Sequence, residues 1–347
     1  MQDSEYLTTP AGLTSIAARE VFALADDLTG ALEVGALLAA TGADVKVGIE
    51  CAPAAVVTVV DLESRHLEDA SASEIVRRFA SAAKQQGEPF VFLKVDSTMR
   101  GPIRASLAAL SSVWPERQIF FTPAYPKLGR TVLNGHLLVD GVPLNGTAFA
   151  RDPTHPARSS HIAEILGDLR VFDAESDEDL AHIARAALES ATTAIIAGSG
   201  GLAREAAALL PITRRAPQSL PRIEKAIVVS GSMHAISAQQ LRHAGSWPVI
   251  ECSRFSSGPE ALDNITRAAL ERVGTVDTMI IFGGDTARSL MKALGIREIE
   301  PLGEALPGVP VSRIIHSGRP LTLITKAGGF GGPDLLPQLA AALHTEI

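Results

Sequence analysis

Three segments of this chain run from an apolar strand straight into a polar, glycine-bearing turn and on into a helix: VFALADDLTGA (Val21–Ala31), VFLKVDSTMRG (Val91–Gly101) and MIIFGGDTARSL (Met279–Leu290). A strand that feeds a helix in this way is the half-unit of a parallel sheet, and it places chemistry at the carboxyl ends of the strands. The first two turns present carboxylates, hydroxyls, an ammonium and a guanidinium. The third presents bare backbone N–H groups at a helix start, which is what a phosphate group seeks. Together they point to a polyhydroxy acid meeting a nucleotide.

From Glu20 onward, apolar runs alternate with amphipathic stretches, the pattern of parallel sheets covered by helices. Candidate strands are Val21–Ala25, Val45–Ile49, Val56–Val60, Phe90–Val95 and Gln118–Thr122, and candidate helices are Ala31–Thr41, Ser73–Gln86 and Ile103–Trp114. Residues 123–155, rich in Gly, Pro, Asn and His, read as one long functional loop. A strand, glycine turn and helix recur at Thr192–Leu210, followed by a proline-punctuated basic connector. A second α/β unit restarts at Ala226–Ala244, with a strand at Val249–Cys252 and a helix near Pro259–Val273. At 347 residues the chain exceeds what one core usually serves, so two domains are expected. With the boundary placed in 211–223, residues 1–19 form an N-terminal arm, 20–215 one domain and 216–347 the other. The fold class is α/β, each domain a mainly parallel sheet flanked by helices, with the active site in the cleft between them.

Composition narrows the partners. A net charge of −8 argues against nucleic acid, whose binding rests on Lys and Arg neutralising phosphates. No apolar run approaches the roughly 18 residues of a membrane span, and the polar, acidic start does not read as a signal peptide. Cys51 and Cys252 lack metal-ligand spacing, and a reducing, cytoplasmic setting fits them. The nine histidines form no HxH or HExxH cluster, so any metal arrives with a nucleotide.

Asp26 and Asp27 end the first strand. One of them serves as a helix N-cap on the plainest reading, but two adjacent carboxylates exceed what capping needs and suit vicinal hydroxyls or a hard cation. In LKVDSTMRG, Lys94, Asp96, Ser97, Thr98 and Arg100 crowd one strand end. They are either a cap with solvated charges or a pocket in which Arg100 or Lys94 clamps a carboxylate while Asp96 takes a hydroxyl proton. Arg65 is a second possible clamp. In the other half, Gly283 and Gly284 admit a phosphate to a helix start, and Asp285 caps that helix or holds a cation or ribose hydroxyl. Ser230, Gly231 and Ser232 repeat the plan, and TKAGGFGG supplies Lys326 with a glycine loop flexible enough to wrap a nucleotide. There is no GxxxxGK[ST] and no HRD or DFG, which sets aside P-loop and protein-kinase chemistry. Gly198-x-Gly200-x-x-Ala203 matches the loose dinucleotide fingerprint, but it lacks an acidic residue at the expected offset.

The set ADDLTGA, LKVDSTMRG, PAYPKLGRT, GSGGLA, VVSGS, GGDT and KAGGFGG, in this order along nearly the whole chain, resembles the four-carbon acid sugar kinase family. The resemblance implies an N-terminal sugar-acid domain, a C-terminal nucleotide domain, and ATP-dependent phosphorylation of the terminal hydroxyl of threonate, erythronate or a 3-oxo-tetronate. It implies a sugar-acid pocket of Asp26, Asp27, Arg65, Lys94, Asp96, Ser97 and Arg100, with Asp96 or an Asp of the Asp26–Asp27 pair as base. It implies an ATP site of Ser230, Ser232, Gly283, Gly284, Asp285, Thr286, Gly328, Gly329 and Phe330, with Mg²⁺, whose ligands are unknown. A homodimer is compatible with it. The chain departs from the family pattern at Ala327, where Ser is usual, at Met99, where Leu is usual, and in a shorter stretch between SGSMH and GGDT. An NAD(P)-dependent oxidoreductase of a sugar acid and a non-catalytic sensor of sugar acid and nucleotide are the alternatives.

Overall fold

The computed structural model describes residues 20–152, 155–190, 194–216, 218–252 and 259–345; the expected arm at 1–19 lies outside them. Strand β1 (Val21–Ala25) is buried along its length, and helix α1 (Leu28–Ala40) starts three residues before the expected Ala31. Asp27 is the reason: its backbone is extended and its Oδ1 accepts the Gly30 N–H at 2.8 Å, so Thr29 and Gly30 belong to the first helical turn rather than to a loop.

The chain continues through β2 (Val45–Ile49), β3 (Val57–Asp61), α2 (Asp69–Gln86), β4 (Phe90–Lys94), α3 (Ile103–Val113) and β5 (Gln118–Thr122). Residues 123–155, expected as a loop, instead contain a small antiparallel sheet of β6 (Arg130–Leu133), β7 (His136–Val139) and β8 (Val142–Pro143). Its turns fall at Asn134–Gly135 and Asp140–Gly141, where all four residues have positive φ, the backbone that Asn, Asp and Gly tolerate best. Next come α4 (Ile162–Leu166), α5 (Asp177–Glu189), β9 (Ala194–Gly198) and α6 (Gly200–Leu209). The six strands β2-β3-β1-β4-β9-β5 lie side by side in that order, all parallel.

The second half adds β10 (Ala226–Ser230), α7 (Ala235–Leu241), β11 (Val249–Glu251), α8 (Pro259–Leu270), β12 (Thr278–Phe282) and α9 (Gly284–Ala293). It closes with three long antiparallel strands, β13 (Glu298–Leu306), β14 (Val309–His316) and β15 (Arg319–Lys326), and with α10 (Leu335–Ala342). Strands β11-β10-β12-β15 are parallel. The two halves are not separate sheets: β13 pairs antiparallel with β2 through Glu298–Gly48 and Ile299–Val47, giving one sheet of twelve strands. Helix α1 packs across this seam. A Cβ on Gly35 would meet Pro301 Cγ at 2.7 Å and Val47 at 2.8 Å, so only glycine lets the helix lie so close to β2 and β13.

Candidate active site

Strand register brings the polar turns of the first half to one edge. Ala25 pairs with Asp61 and with Lys94, and Lys94 pairs with Gly198, so the residues that follow β1, β3, β4 and β9 emerge together. Arg65 lies at the centre. Its Nε and Nη2 donate to the two oxygens of Asp26 at 3.0 and 2.8 Å, its Nη1 donates to Asp27 Oδ2 at 2.7 Å, and Asp96 Oδ2 is 3.9 Å away. Arg65, expected as a free clamp, is thus committed to three carboxylates. Arg100 is committed too: Nε and Nη2 donate to Asp96 at 3.1 and 2.6 Å.

These pairings set the protonation of the aspartates. Burial alone raises the Asp96 carboxyl, but the charges of Arg65 and Arg100 and the bonds from Arg100 and Thr98 hold it far below the usual carboxylate range. Burial also acts on Asp27, where Arg65 and Lys94 outweigh it and lower the group. At Asp26 burial wins and the group is raised. Asp96 is thereby held as a carboxylate between the guanidiniums of Arg65 and Arg100.

Lys94 is buried with its Nζ 3.5 Å from Glu33 Oε2, and Glu33 Oε1 accepts the Tyr125 hydroxyl at 3.0 Å. Burial lowers Lys94, but Glu33, Asp26 and Asp27 overcome it and keep it charged. Glu33 and Tyr125 were not anticipated; Glu33 sits two turns into an apolar helix, and Tyr125 is at the start of the 123–155 segment. Arg130, in the same segment, was also missed. Its buried Nε has no partner, its Nη1 donates to the Leu128 carbonyl, and burial lowers it despite the charges of Asp140 and Asp96. It is a partly buried cation in the field of Asp140, Asp96 and Arg100.

The second half aligns its turns in the same manner. Ser230, Phe282 and Lys326 are direct cross-strand partners, so the SGS, GGDT and glycine turns leave the sheet at one level. Gly283 has φ +103° and precedes α9 without any side-chain cap, which leaves the first N–H groups of a ten-residue helix open to an anion. Ser230 Oγ is buried and has no hydrogen-bond partner among the described residues, an orphan that suits a ligand hydroxyl or phosphate oxygen. Thr286 Oγ1 accepts the Gly231 N–H at 3.1 Å and ties two of the turns together. The glycine loop, expected to be flexible, is held by α7: Ser237 Oγ donates to Gly328 O at 2.6 Å, and Gln240 Nε2 donates to Phe330 O and Gly332 O at 2.8 and 2.9 Å. Ser232 takes part through its Oγ, 2.9 Å from Ser237 Oγ and able to donate to it, and Asp285 is exposed in the first turn of α9.

The two sets face each other across an open cleft. Asp27, Arg65, Lys94, Asp96, Ser97 and Arg100 line one side; Lys326, Ala327 and Phe330 line the other. A Cβ built on Gly284 would lie 3.4 Å from Asp27 Oδ2 and 3.5 Å from Thr29 Oγ1, so the GGDT turn abuts the first aspartate turn. The halves are also pinned by Arg288, which donates to Glu50, Asp61 and Glu63 at 2.6–3.2 Å. By contrast, the dinucleotide-like turn offers no room for a pyrophosphate. Ser199 caps α6, and a Cβ on Gly200 would strike the Glu33 carboxylate at 2.1 Å, so a negative group already occupies that helix start. Among the described residues, no cluster of three His, Cys, Asp or Glu stands ready for a metal ion, and no helix is long and apolar enough to cross a membrane.

Comparison with known proteins gives a consistent picture. The sugar-binding N-terminal domain family matches residues 21–170, and the nucleotide-binding C-terminal domain family matches residues 256–336. The D-threonate kinase of Salmonella typhimurium (strain LT2) is 28% identical over 414 aligned positions, spanning 91% of this chain and 96% of that protein. The 3-oxo-tetronate kinase of Methylobacterium radiotolerans is 26% identical, spanning 90% and 96%. Since 414 positions outnumber the 347 residues here, the Salmonella protein carries stretches without a counterpart in this chain. A crystal structure of a Haemophilus influenzae protein shares the fold, with a TM-score of 0.68 at 20% identity over 92% of this chain and 99% of that one. A Bordetella bronchiseptica protein, crystallised with bound citrate as a domain-swapped dimer, matches with a TM-score of 0.51 at 25% identity over 95% and 99%. Both domain matches fall in the expected order on the two halves that meet at the cleft, and the chain belongs to the four-carbon acid sugar kinase family, built from a sugar-binding N-terminal and a nucleotide-binding C-terminal domain.

Proposed function

We propose that this chain is a kinase that transfers the terminal phosphoryl group of ATP to a hydroxyl of a four-carbon sugar acid. One observation carries the reading: the uncapped start of α9 lies against Asp27 and Thr29, so a phosphate held by the second half would end within reach of a hydroxyl held by the first. Phosphoryl transfer is chiefly a matter of positioning and charge neutralisation. Mg²⁺, bound with the nucleotide, would supply part of that neutralisation.

Asp27 orients the attacking hydroxyl and accepts its proton, because it is the cleft-lining carboxylate nearest the GGDT turn. Asp26 and Arg65 fix Asp27 in place. Asp96 holds Arg100 and faces the substrate hydroxyls together with Ser97 and Lys94. Arg130 supplies the positive charge for the acid group, since Arg65 and Arg100 are already paired. Ser230, Ser232, Gly283, Gly284, Asp285, Thr286, Gly328, Gly329 and Phe330 surround the nucleotide, the backbone N–H groups of the α9 start taking its phosphates. We further propose a cytoplasmic homodimer, on the grounds of the two free thiols and the dimeric Bordetella relative.

The test is ADP release from Mg-ATP with the enantiomers of threonate and erythronate, with 3-oxo-tetronates, and with uncharged four-carbon sugars as controls. Turnover of one acid and not of its uncharged analogue is the expected result. Silence on every four-carbon acid would overturn the reading.

A further inference from the structure

We propose that Lys326 is the phosphate-binding cation of the nucleotide half, and that nucleotide binding is coupled to protonation of its amine. The inference rests on the nucleotide reading of that half and deepens it. Lys326 ends β15 at the same level as Ser230 and Phe282, and its carbonyl accepts the Gly283 N–H at 3.0 Å, which fixes it beside the GGDT turn. The side chain lines the cleft yet is only 1% exposed. Its Nζ donates to two neutral oxygens, Gly328 O at 2.8 Å and Ser237 Oγ at 3.4 Å, and lies 4.2 Å from the centre of the Phe282 ring.

Among the described residues, no carboxylate pairs with it. The charged or titratable groups on the surrounding elements are His234 ahead of α7, Asp285 and Arg288 on α9, and Asp27 and Glu33 on the α1 side of the cleft. None of them forms an ion pair with Lys326 among the described residues. Lys94 is the contrast: buried on the opposite wall, it has Glu33 at 3.5 Å. A buried ammonium with only neutral partners is costly, so it loses its proton readily or waits for an anion. In agreement, burial pushes Lys326 down to about 7. A phosphate chain on the α9 start would provide the missing negative charge, restore the amine's affinity for a proton, and draw one from the buffer.

Calorimetric titration of the protein with Mg-ADP at about pH 8, in two buffers of different ionisation enthalpy, counts the protons taken up. At that pH the free amine is mostly neutral, so wild type should take up close to one proton per nucleotide. Lys326→Arg, which stays charged, should bind Mg-ADP without proton uptake. Lys326→Met should bind about tenfold or more weakly and take up none. If wild type and both variants bind equally, with no uptake in any, the proposal is overturned while the nucleotide site stands. If wild type fails to bind Mg-ADP at all, the nucleotide reading itself falls. Should Lys326→Met fail to fold, the comparison of wild type with Lys326→Arg still decides, because uptake that persists in the arginine variant cannot come from Lys326.

Discussion

Replacing Asp27 by Asn separates the two tasks of this side chain. The cap survives, because the Asn side-chain oxygen can accept the Gly30 N–H as Asp27 Oδ1 does at 2.8 Å, and Asn and Asp cap helices about equally well. What disappears is the negative charge facing Arg65 Nη1 at 2.7 Å. Arg65 keeps its two-bond fork on Asp26, so no buried ion is stranded and the cost stays below the roughly 3–5 kcal/mol of a broken buried pair. About 1–2 kcal/mol is expected, the size of one charged hydrogen bond. In a chain of this length melting as one unit, that lowers Tm by about 1–3 °C. The chemistry should suffer far more: a positioned base contributes about 10²–10⁴ in rate. Steady-state ADP release and a thermal melt on the same preparation make the comparison. A folded Asp27→Asn protein with kcat within about threefold of wild type would refute Asp27 as the proton acceptor.

Other expectations follow from neighbouring geometry. Arg130→Met should raise KM for the acid about tenfold or more, the worth of a charged hydrogen bond, and leave KM for ATP unchanged; an unchanged acid KM would move the clamp elsewhere. Asp61 is fully buried, and burial followed by the charge of Glu63 raises its pKa well above the ordinary 3.8 despite Arg288. A raised carboxyl favours the folded state in its neutral form, so its contribution is complete below the ordinary value and is lost as pH rises through the folded one. The Tm of Asp61→Asn relative to wild type should therefore increase as pH rises through that window; a difference independent of pH would show that Asp61 does not titrate there.

Much of the frame was legible. Val21–Ala25 was read with its true ends, because a strand of a parallel sheet buried on both faces appears as an unbroken apolar run. Strands β13 to β15 were not. Pro301, Pro310 and Pro320 interrupt them, and register shifts at Pro301–Gly303 and Glu304–Leu306 break the alternation that marks an antiparallel strand. The signal that could have found them was Gly308 and Gly318, both at positive φ in tight turns between apolar stretches. The site divides in a similar way. Residues clustered at one turn, such as Lys94, Asp96, Ser97 and Arg100, announce themselves locally. The engagement of Arg65 by three aspartates, the Glu33–Lys94–Tyr125 group and the neutral surroundings of Lys326 arise from segments far apart in sequence, and no spacing reveals them.

The pairing of β2 with β13 has a consequence for how the molecule comes apart. Two lobes joined by a tether would melt in two steps, each protected by its own ligand. Here the seam strands share a ladder, and α1 is wedged against both through Gly35 and Pro301, so neither lobe can lose its sheet without exposing the other's edge. Unfolding should therefore be a single cooperative event, and either substrate alone should raise the same transition, the effects of the two adding on one melting curve.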